Sequence, residues 1–367
     1  MKIVYTFQQF SYKGGIERIF CDKANALAAA GHEVHLVYSL AEDAPPAYAT
    51  DPRVRTHNLG VVLRSGSRAG LPFNWLRYRI NLNRAMQRTL RRIGPDIVVI
   101  TPIMALKGCF SKRWKVVMES HLNRADTMKA SPFVRARIRR AERRADAIVA
   151  LTAEDAAAWT RTGKTLQIAN FTDIRPAERP AAAARSVCAV GRLHEQKQFD
   201  LLVDAWAETV RRHPGWRLDI YGYGDEREAL QRHISRLGLT GSVCLRGAAD
   251  DMAAVYASHD FLALSSRREG FGLVLIEAMA CGCPCVAVDC PAGPREIISD
   301  GRDGLLVPYR GLTREQQVRN LSGAMCRMIE SPEMRTRMGR EARLSSLRYD
   351  KRAIMDQWEK LFEELAG

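Results

Sequence analysis

Residues 170–190 read NFTDIRPAERPAAAARSVCAV, and this stretch decides how the chain is built. Pro176, Pro180 and the four alanines at 181–184 break a pattern that runs on both sides of them. Proline fixes its own backbone and lacks an N–H, so it punctuates regular structure. The stretch reads as a linker. Upstream, apolar strands are expected at Lys2–Phe7, Glu33–Tyr38, Asp96–Thr101, Lys115–Glu119 and Asp146–Leu151, with helices between them such as Ile16 to Ala30, stopped by Gly31. Their Val and Ile runs suit parallel sheets buried on both faces.

Downstream the alternation restarts. Strands are expected at Ser186–Val190, Arg217–Tyr221, Val243–Leu245, Phe261–Leu264 and Cys285–Val288. Helices are expected near Phe199–Arg211, Asp225–Leu237, Leu273–Cys281, Thr313–Glu330 and Asp350–Leu365. Alternation on both sides of one linker predicts an α/β protein of two doubly wound, Rossmann-like domains, residues 1–172 and 173–349, facing each other across a cleft. The last helix, within residues 350–367, is expected to pack back onto the first domain. At 367 residues the chain is too long for one ordinary core and suits two.

Composition narrows the class. Apolar content of 46% and charged content of 26% are those of a globular chain rather than a disordered one. No window approaches the roughly 20 apolar residues of a membrane span, and MKIVYTFQQF lacks the features of a secretory signal. Nine cysteines, an odd number without a framework, point to reduced thiols. The expected home is the cytoplasm, peripheral on the inner face of the cytoplasmic membrane. Cys281, Cys283, Cys285 and Cys290 could be imagined around a metal, but their spacing at a helix end entering a strand suits small buried thiols, and no metal site is expected.

The net charge of +15 is lopsided. Residues 1–175 hold 29 Lys and Arg against 14 Asp and Glu, whereas residues 176–367 hold 27 of each. The first half should therefore face something anionic: a membrane surface, a phosphorylated substrate or nucleic acid.

In open parallel sheets ligands sit beyond the carboxyl ends of the strands, so polar groups at those ends carry the functional reading. Gly14-Gly15-Ile16-Glu17-Arg18 follows the first strand and opens a helix, where backbone can approach a phosphate. A tight turn would look the same, and the third glycine of the dinucleotide fingerprint is absent. Gly191-Arg192-Leu193-His194-Glu195-Gln196-Lys197 follows the first strand after the linker. Arg192 and Lys197 there can converge on one diphosphate, the fork and the point charge, or else stand as two solvated cations. Glu269-Gly270-Phe271-Gly272-Leu273, running on to Glu277, sets two carboxylates eight residues apart. Glu269 can take sugar hydroxyls beside the N–H groups of Phe271, Gly272 and Leu273, and Glu277 a ribose. A capping carboxylate with a structural ion pair is the plainer alternative.

Taken together, GGIER, GRLHEQK, EGFGLVLIE and GPREIISDGRDGLLVP resemble, in order and over nearly the whole chain, the pattern of glycosyltransferase family 4. The resemblance implies the GT-B fold and retention of anomeric configuration, with similarity to members acting on polyprenyl-diphosphate-linked or other envelope glycans. It implies that Arg192 and Lys197 bind the donor diphosphate, that Glu269 contacts the sugar and Glu277 the ribose, and that Gly14 and Gly15 close over the phosphates. The base would be read near Arg246-Gly247. The first domain would then be the acceptor side and the second the nucleotide-sugar side. One position departs from the pattern: Gln198 follows Lys197 where the family commonly has Gly or Asn.

His121, in MESHLN at the carboxyl end of a strand, is the remaining catalytic candidate; the resemblance implies a place beside the transferring sugar. With no Asp-x-Asp in the chain, a metal clamp is not expected. Arg192, Lys197 and helix-end N–H groups would neutralise the leaving group. No acidic residue is placed for attack on the opposite face of the sugar, so same-face substitution is favoured over a two-carboxylate double displacement.

Residues Leu71 to Ile93 form a basic amphipathic pattern. Arg77, Arg84, Arg88 and Arg91 are spaced 7, 4 and 3 apart and share a face, with Trp75, Leu82, Met86, Leu90 and Ile93 supplying apolar surface. Six more arginines lie between Arg135 and Arg144. Any one of these suits a solvated helix face; together they suggest lipid phosphates.

The expected function is a retaining, metal-independent hexosyltransferase that uses a nucleotide sugar, UDP-linked by preference, as co-substrate and no other cofactor. Its acceptor would be a lipid-linked or cell-envelope glycan, with the Arg77, Arg84, Arg88 and Arg91 face holding lipid phosphate. A nucleotide-sugar epimerase or hydrolase of the same fold is the alternative among enzymes. A non-catalytic sugar-nucleotide scaffold is another. A basic nucleic-acid binder is disfavoured, for lack of RNA-recognition aromatics or helix-turn-helix spacing.

Overall fold

A computed structural model describes the chain except for residues 9, 12–13, 41–43, 64–70, 160–163 and 175–183, and gives only the backbone at 71–73. Pro176, Pro180 and three of the four linker alanines thus lie outside the described residues. The chain divides into two compact units, Met1–Asn170 with Arg352–Gly367, and Phe171–Lys351.

The first unit holds β1 (Lys2–Thr6), β2 (Glu33–Tyr38), β3 (Arg55–Asn58), β4 (Ile97–Ile100), β5 (Lys115–Ser120), β6 (Ala147–Ala150) and β7 (Lys164–Gln167). They form one seven-stranded sheet in the order β3-β2-β1-β4-β5-β6-β7, every pair parallel. Parallel neighbours need crossovers, and α1 (Gly15–Ala29), α2 (Leu71–Ile93), α3 (Arg124–Thr127), α4 (Pro132–Glu142) and α5 (Ala153–Ala158) lie along them. On α1, Ile19, Phe20, Ala24, Leu27 and Ala28 recur at helical spacing and are buried. The strand order reverses between β1 and β4, and the loops after them mark the switch point of the unit.

The second unit repeats the plan. β8 (Ser186–Val190), β9 (Arg217–Tyr221), β10 (Val243–Gly247), β11 (Phe261–Leu264), β12 (Cys285–Val288) and β13 (Gly304–Val307) form a parallel sheet in the order β10-β9-β8-β11-β12-β13. The helices are α6 (Phe199–Arg212), α7 (Arg227–Arg236), α8 (Met252–Ala257), α9 (Leu273–Ala280), α10 (Pro294–Ile297), α11 (Arg314–Glu330) and α12 (Pro332–Ser346). Apolar residues of α6 and α11, including Leu202, Trp206, Leu321 and Met325, join Val187, Leu218 and Val286 of the strands in one core. Thr313 starts α11 with a capping box closed by Gln316. The switch point here lies between β8 and β11. Finally α13 (Lys351–Ala366) buries Ile354, Met355, Trp358, Leu361 and Phe362.

β3, β7, β13, α8, α10 and α12 are additions to the sequence reading. All nine cysteines are free thiols, and Cys281, Cys283, Cys285 and Cys290 are buried. No helix among the described residues is long and apolar enough to cross a membrane.

Candidate active site

The second unit gathers its polar groups at the carboxyl ends of β8 and β11. After β8, the loop continues the pairing with β9: Gly191 N–H donates to Tyr221 O at 3.0 Å and Leu193 N–H to Tyr223 O at 2.8 Å. A single 3-10 turn, Glu195–Lys197, then delivers Lys197. The loop after β11 is tied to it. Arg267 N–H donates to Gln196 O at 2.8 Å, Gln196 Nε2 to Arg268 O at 3.1 Å, and Ser265 Oγ to Lys197 O at 2.8 Å. These ties bring Lys197 Nζ within 2.7 Å of Glu269 Oε1 across 72 residues of sequence. Arg192 stands exposed on the same loop as Lys197. Gly191 makes room for the lysine stem: a Cβ there would lie 3.0 Å from Lys197 Cε.

Beyond Glu269 the chain turns into α9. Phe271 is buried against Tyr349, ring centroids 5.5 Å apart. Gly272 caps the helix with φ 107° and ψ 55°, a conformation few side chains tolerate. The Gly293 backbone passes so near that a Cβ would meet Phe271 O at 1.9 Å. The turn therefore aims the free N–H groups at the start of α9, Leu273 among them, with Glu269 just before it, a ready combination for an anion and a hydroxyl-bearing group. Glu277, about 6 Å further along the axis at 1.5 Å per residue, is buried and accepts a hydrogen bond from Tyr256 OH at 2.8 Å.

Arg246, at the end of β10, is engaged with a buried carboxylate. Its Nε donates to Asp219 Oδ1 at 2.8 Å, while Arg217 Nε and His259 Nε2 lie 3.0 and 3.1 Å from Asp219 Oδ2. Burial pushes the Asp219 carboxyl up, but the hydrogen bonds from His259, Arg246 and Arg217 prevail and hold it at about 2. Gly247 follows with φ 77° where the β9–β10 register shifts.

In the first unit, Gly14 is the N-cap of α1 and Gly15 its first residue. The Glu17 carboxylate folds back to this end, 2.3 Å from where a Cβ on Gly14 would be, so the helix terminus already has a negative group beside it. His121 follows β5, buried, with its ring edge-on to Phe20 at 4.8 Å. Its Nε2 is 3.1 Å from Glu119 Oε1 but is not aligned for a hydrogen bond. Glu119 in turn pairs with Lys23 from α1, both side chains fully buried, and the Lys23 ammonium sits 4.2 Å from the Trp358 ring centroid of α13. Burial pushes the Glu119 carboxyl up, but Lys23 and His121 beside it bring it down to about 2. On α2, Arg77, Arg84, Arg88 and Arg91 are all exposed, opposite the buried Leu82, Met86, Leu90 and Ile93.

Lys197, Glu269, Phe271, Gly272 and Leu273 thus form one cluster in the second unit, with Arg192 on its loop and Glu277 a turn behind. Arg246 and Gly247 lie two strands away from β8, and Gly14, Gly15, His121 and the α2 arginines belong to the first unit. Sequence reasoning missed Asp219, Tyr256, His259, Lys23 and Glu119. Lys23 carried a usable signal, since it falls three residues after Phe20 and four before Leu27 on the apolar face of α1.

Known structures and sequences define the class and then the family. The pneumococcal O-GlcNAc transferase GtfA, solved with UDP and GlcNAc, superposes with a TM-score of 0.80 at 14% identity over 100% of this chain and 99% of that one. That likeness establishes the fold, two Rossmann-like domains of GT-B type. Residues 13–173 match the family described as Glycosyltransferase Family 4, and residues 184–330 the one described as Glycosyl transferases group 1. The chain belongs to the family 4 glycosyltransferases. It is 27% identical to the amylovoran biosynthesis glycosyltransferase AmsD of Erwinia amylovora, over 97% of this chain and 98% of that protein. It is 29% identical to an exopolysaccharide phosphotransferase of Streptomyces coelicolor, over 100% of this chain but only 41% of that longer protein.

Proposed function

We propose that this glycosyltransferase is a retaining, metal-independent hexosyltransferase of envelope or exported polysaccharide synthesis, taking its sugar from a UDP-linked donor and passing it to a lipid-linked glycan. The observation that carries the donor half is the Lys197–Glu269 contact at the switch point, beside the N-terminus of α9. An ammonium, a carboxylate and free N–H groups in one place are what a sugar diphosphate needs: cationic groups for the phosphates, an acceptor for the hydroxyls. UDP is favoured because the GtfA neighbour was solved with UDP and GlcNAc. A role in polysaccharide synthesis is favoured by the relatives, an amylovoran biosynthesis glycosyltransferase and an exopolysaccharide phosphotransferase.

In this reading Arg192 and Lys197 stabilise charge as it builds on the departing diphosphate. Glu269 holds sugar hydroxyls, Glu277 the ribose, and Arg246-Gly247 border the base. Gly14 and Gly15 approach the phosphates, and His121 positions the transferring sugar. The acceptor oxygen bonds to the anomeric carbon on the face from which the diphosphate leaves. The anomeric C–O bond breaks, and the acceptor's hydroxyl proton passes to the departing phosphate oxygen. The exposed arginines of α2, with the charge excess of the first 175 residues, hold the protein at an anionic membrane surface on the cytoplasmic side.

A thermal-shift screen of UDP-, GDP- and ADP-sugars tests the donor, because a ligand that binds only the folded state raises the melting temperature. UDP-sugars should give the largest shift. Glu269→Ala should reduce the shift of the UDP-sugar to that of UDP, and Arg192→Ala should shrink both. No shift with any sugar nucleotide would end the proposal. Turnover of donor without acceptor at the rate seen with it would favour a hydrolase or epimerase instead.

A further inference from the structure

A pocket of about 340 Å³ opens between α2 and α4 in the first unit. Six cations line it: Arg79 and Arg84 of α2, Lys107 after β4, Arg137 and Arg140 of α4, and Arg144 just beyond it; no described lining residue is acidic. The sequence of α2 contains no acid, and the single acid of α4, Glu142, is buried and paired with Arg124. Among the described residues none of the six lining cations forms an ion pair. Arg137 is the most constrained of them. Its Nη2 donates to Ile103 O at 3.0 Å, while its Nε is buried without a partner. Burial, with the neighbouring Arg79 charge, lowers its guanidinium to about 10.

Like charges gathered under a partly dry surface repel one another, and natural proteins normally pair them. A cluster left without carboxylates has a standing attraction for an anion, and guanidinium forks match phosphate oxygens in pairs. The floor is held firmly, since Gly108 N–H donates to Asn83 Oδ1 at 2.7 Å and fixes the Lys107 turn on α2. The rim is apolar. Phe133 is 59% exposed and Ile80 42% exposed, and Phe133 meets Trp75 edge-on at 5.3 Å. Leu76, one turn before Ile80 on α2, is 52% exposed. Cations below and exposed apolar side chains at the edge fit an amphiphile with a phosphorylated head.

We infer that this pocket binds the diphosphate head of a lipid, with Arg137, Arg140 and Arg144 on the phosphates and Phe133 and Ile80 against the first carbons of the chain. The inference rests on the reading that the acceptor is lipid-linked, and moves the phosphate contacts from Arg77, Arg88 and Arg91 on the outer face of α2 to the side turned toward α4, which Arg84 shares. A pocket of this size takes a phosphorylated head and leaves the rest of the chain outside.

Calorimetric titration of the full chain with farnesyl diphosphate, inorganic pyrophosphate and a single-stranded oligonucleotide tests it. Farnesyl diphosphate should bind at least tenfold more tightly than pyrophosphate. Arg137→Gln with Arg140→Gln should weaken both by at least tenfold, and Phe133→Ser should weaken only the farnesyl compound. If the first pair proves unstable, Arg140→Gln with Arg144→Gln, at the margin of α4, serves in its place. Lys112→Gln with Arg113→Gln removes two exposed charges outside the pocket and should change neither. Farnesyl diphosphate binding that ignores the pocket substitutions would overturn the site while leaving a lipid acceptor standing. Absence of farnesyl diphosphate binding, with UDP-sugar shifts intact, would overturn both the site and the lipid reading but not the donor reading. Equal affinity for pyrophosphate would reduce the site to one for free phosphate, and tighter binding of the oligonucleotide would assign the cations to nucleic acid; either rejects the inference.

Discussion

Each unit contains a lysine–glutamate pair at the carboxyl end of its sheet, and the two pairs are built for different work. In the first unit Lys23 and Glu119 are both fully buried, with the ammonium over Trp358 and the second carboxylate oxygen unpartnered. In the second, the Lys197 and Glu269 side chains keep 18% and 8% of their surface. A buried pair stabilises chiefly because breaking it is worse than keeping it, since either charge alone would be stranded in a medium that solvates it poorly. A pair at the edge of solvent, beside an open helix terminus, can exchange its members for a phosphate and a hydroxyl with little penalty. The same two residue types therefore give a fixed support under His121 in one unit and an exchangeable contact in the other. The depth of burial decides which.

Removing one lysine at a time is the severest way to break this contrast. Lys23→Met should cost about 3–5 kcal/mol in denaturant unfolding of the first unit by leaving the buried Glu119 carboxyl with only His121 beside it. Lys23→Met with Glu119→Leu should recover much of that loss. Lys197→Met should cost less, about 1–3 kcal/mol, because this pair is nearly but not fully buried, while removing most of the melting shift given by UDP. Equal losses of stability from the two lysine substitutions would erase the distinction.

Acid provides the next test. Glu119 is held at about 2, well below the ordinary carboxylate range. A carboxylate with a depressed folded value contributes stability that is present above its unfolded value and is lost as pH falls toward the folded one. The melting temperature should therefore drop as pH falls from about 4.5 to about 2. Asp219, also held at about 2, should contribute to the same decline in the second unit. Glu119→Gln should lower the melting temperature at neutral pH yet flatten its acid slope. A slope unchanged by the substitution would mean that Glu119 and Lys23 are not the charged pair described.

How much of this was legible in the sequence depended on which side chains met water. β1, β2, β4 to β6, β8, β9, β11 and β12 carry apolar runs because both faces of a parallel sheet are covered. β3 (RTHN) and β7 (KTLQ) are edge strands of the first sheet with polar, partly exposed residues, so they lack that signature. β13 edges the second sheet inside a glycine-rich stretch read as motif rather than strand. α12 is mostly polar and was hidden between two clearer helices. Glu269 and Glu277 could be found because the first directly precedes a glycine turn and the second lies about one and a half turns into the helix that follows it. Their partners could not. Lys197 reaches Glu269 only through hydrogen bonds between loops that adjacent strands bring together, and Lys23 meets Glu119 across 96 residues. Position at a strand end was readable; the identity of the contact was a property of the sheet order.

Gln198 gives the smallest and most local test. It looked harmless in the sequence because it carries no charge, yet its backbone sits at φ 46°, ψ 46°, the left-handed conformation. That explains why Gly or Asn would suit the position, since other side chains there are strained by roughly 1–2 kcal/mol. The compensation is visible: Gln198 is buried and its Oε1 accepts a hydrogen bond from Tyr309 OH at 2.6 Å. Because Gln198 links Lys197 to the first residue of α6, this strained peptide sets the direction in which the lysine leaves its turn toward Glu269. Gln198→Gly should relieve the strain, lose the Tyr309 contact and add freedom to the unfolded chain, for a net change within about 1 kcal/mol. Tyr309→Phe should cost about 1 kcal/mol in the native background and close to nothing beside Gln198→Gly, the coupling expected of two groups in one hydrogen bond. Equal costs in both backgrounds would show that Tyr309 does not hold Gln198 in its turn, and the second lysine–glutamate pair would then owe its position to the loop ties alone.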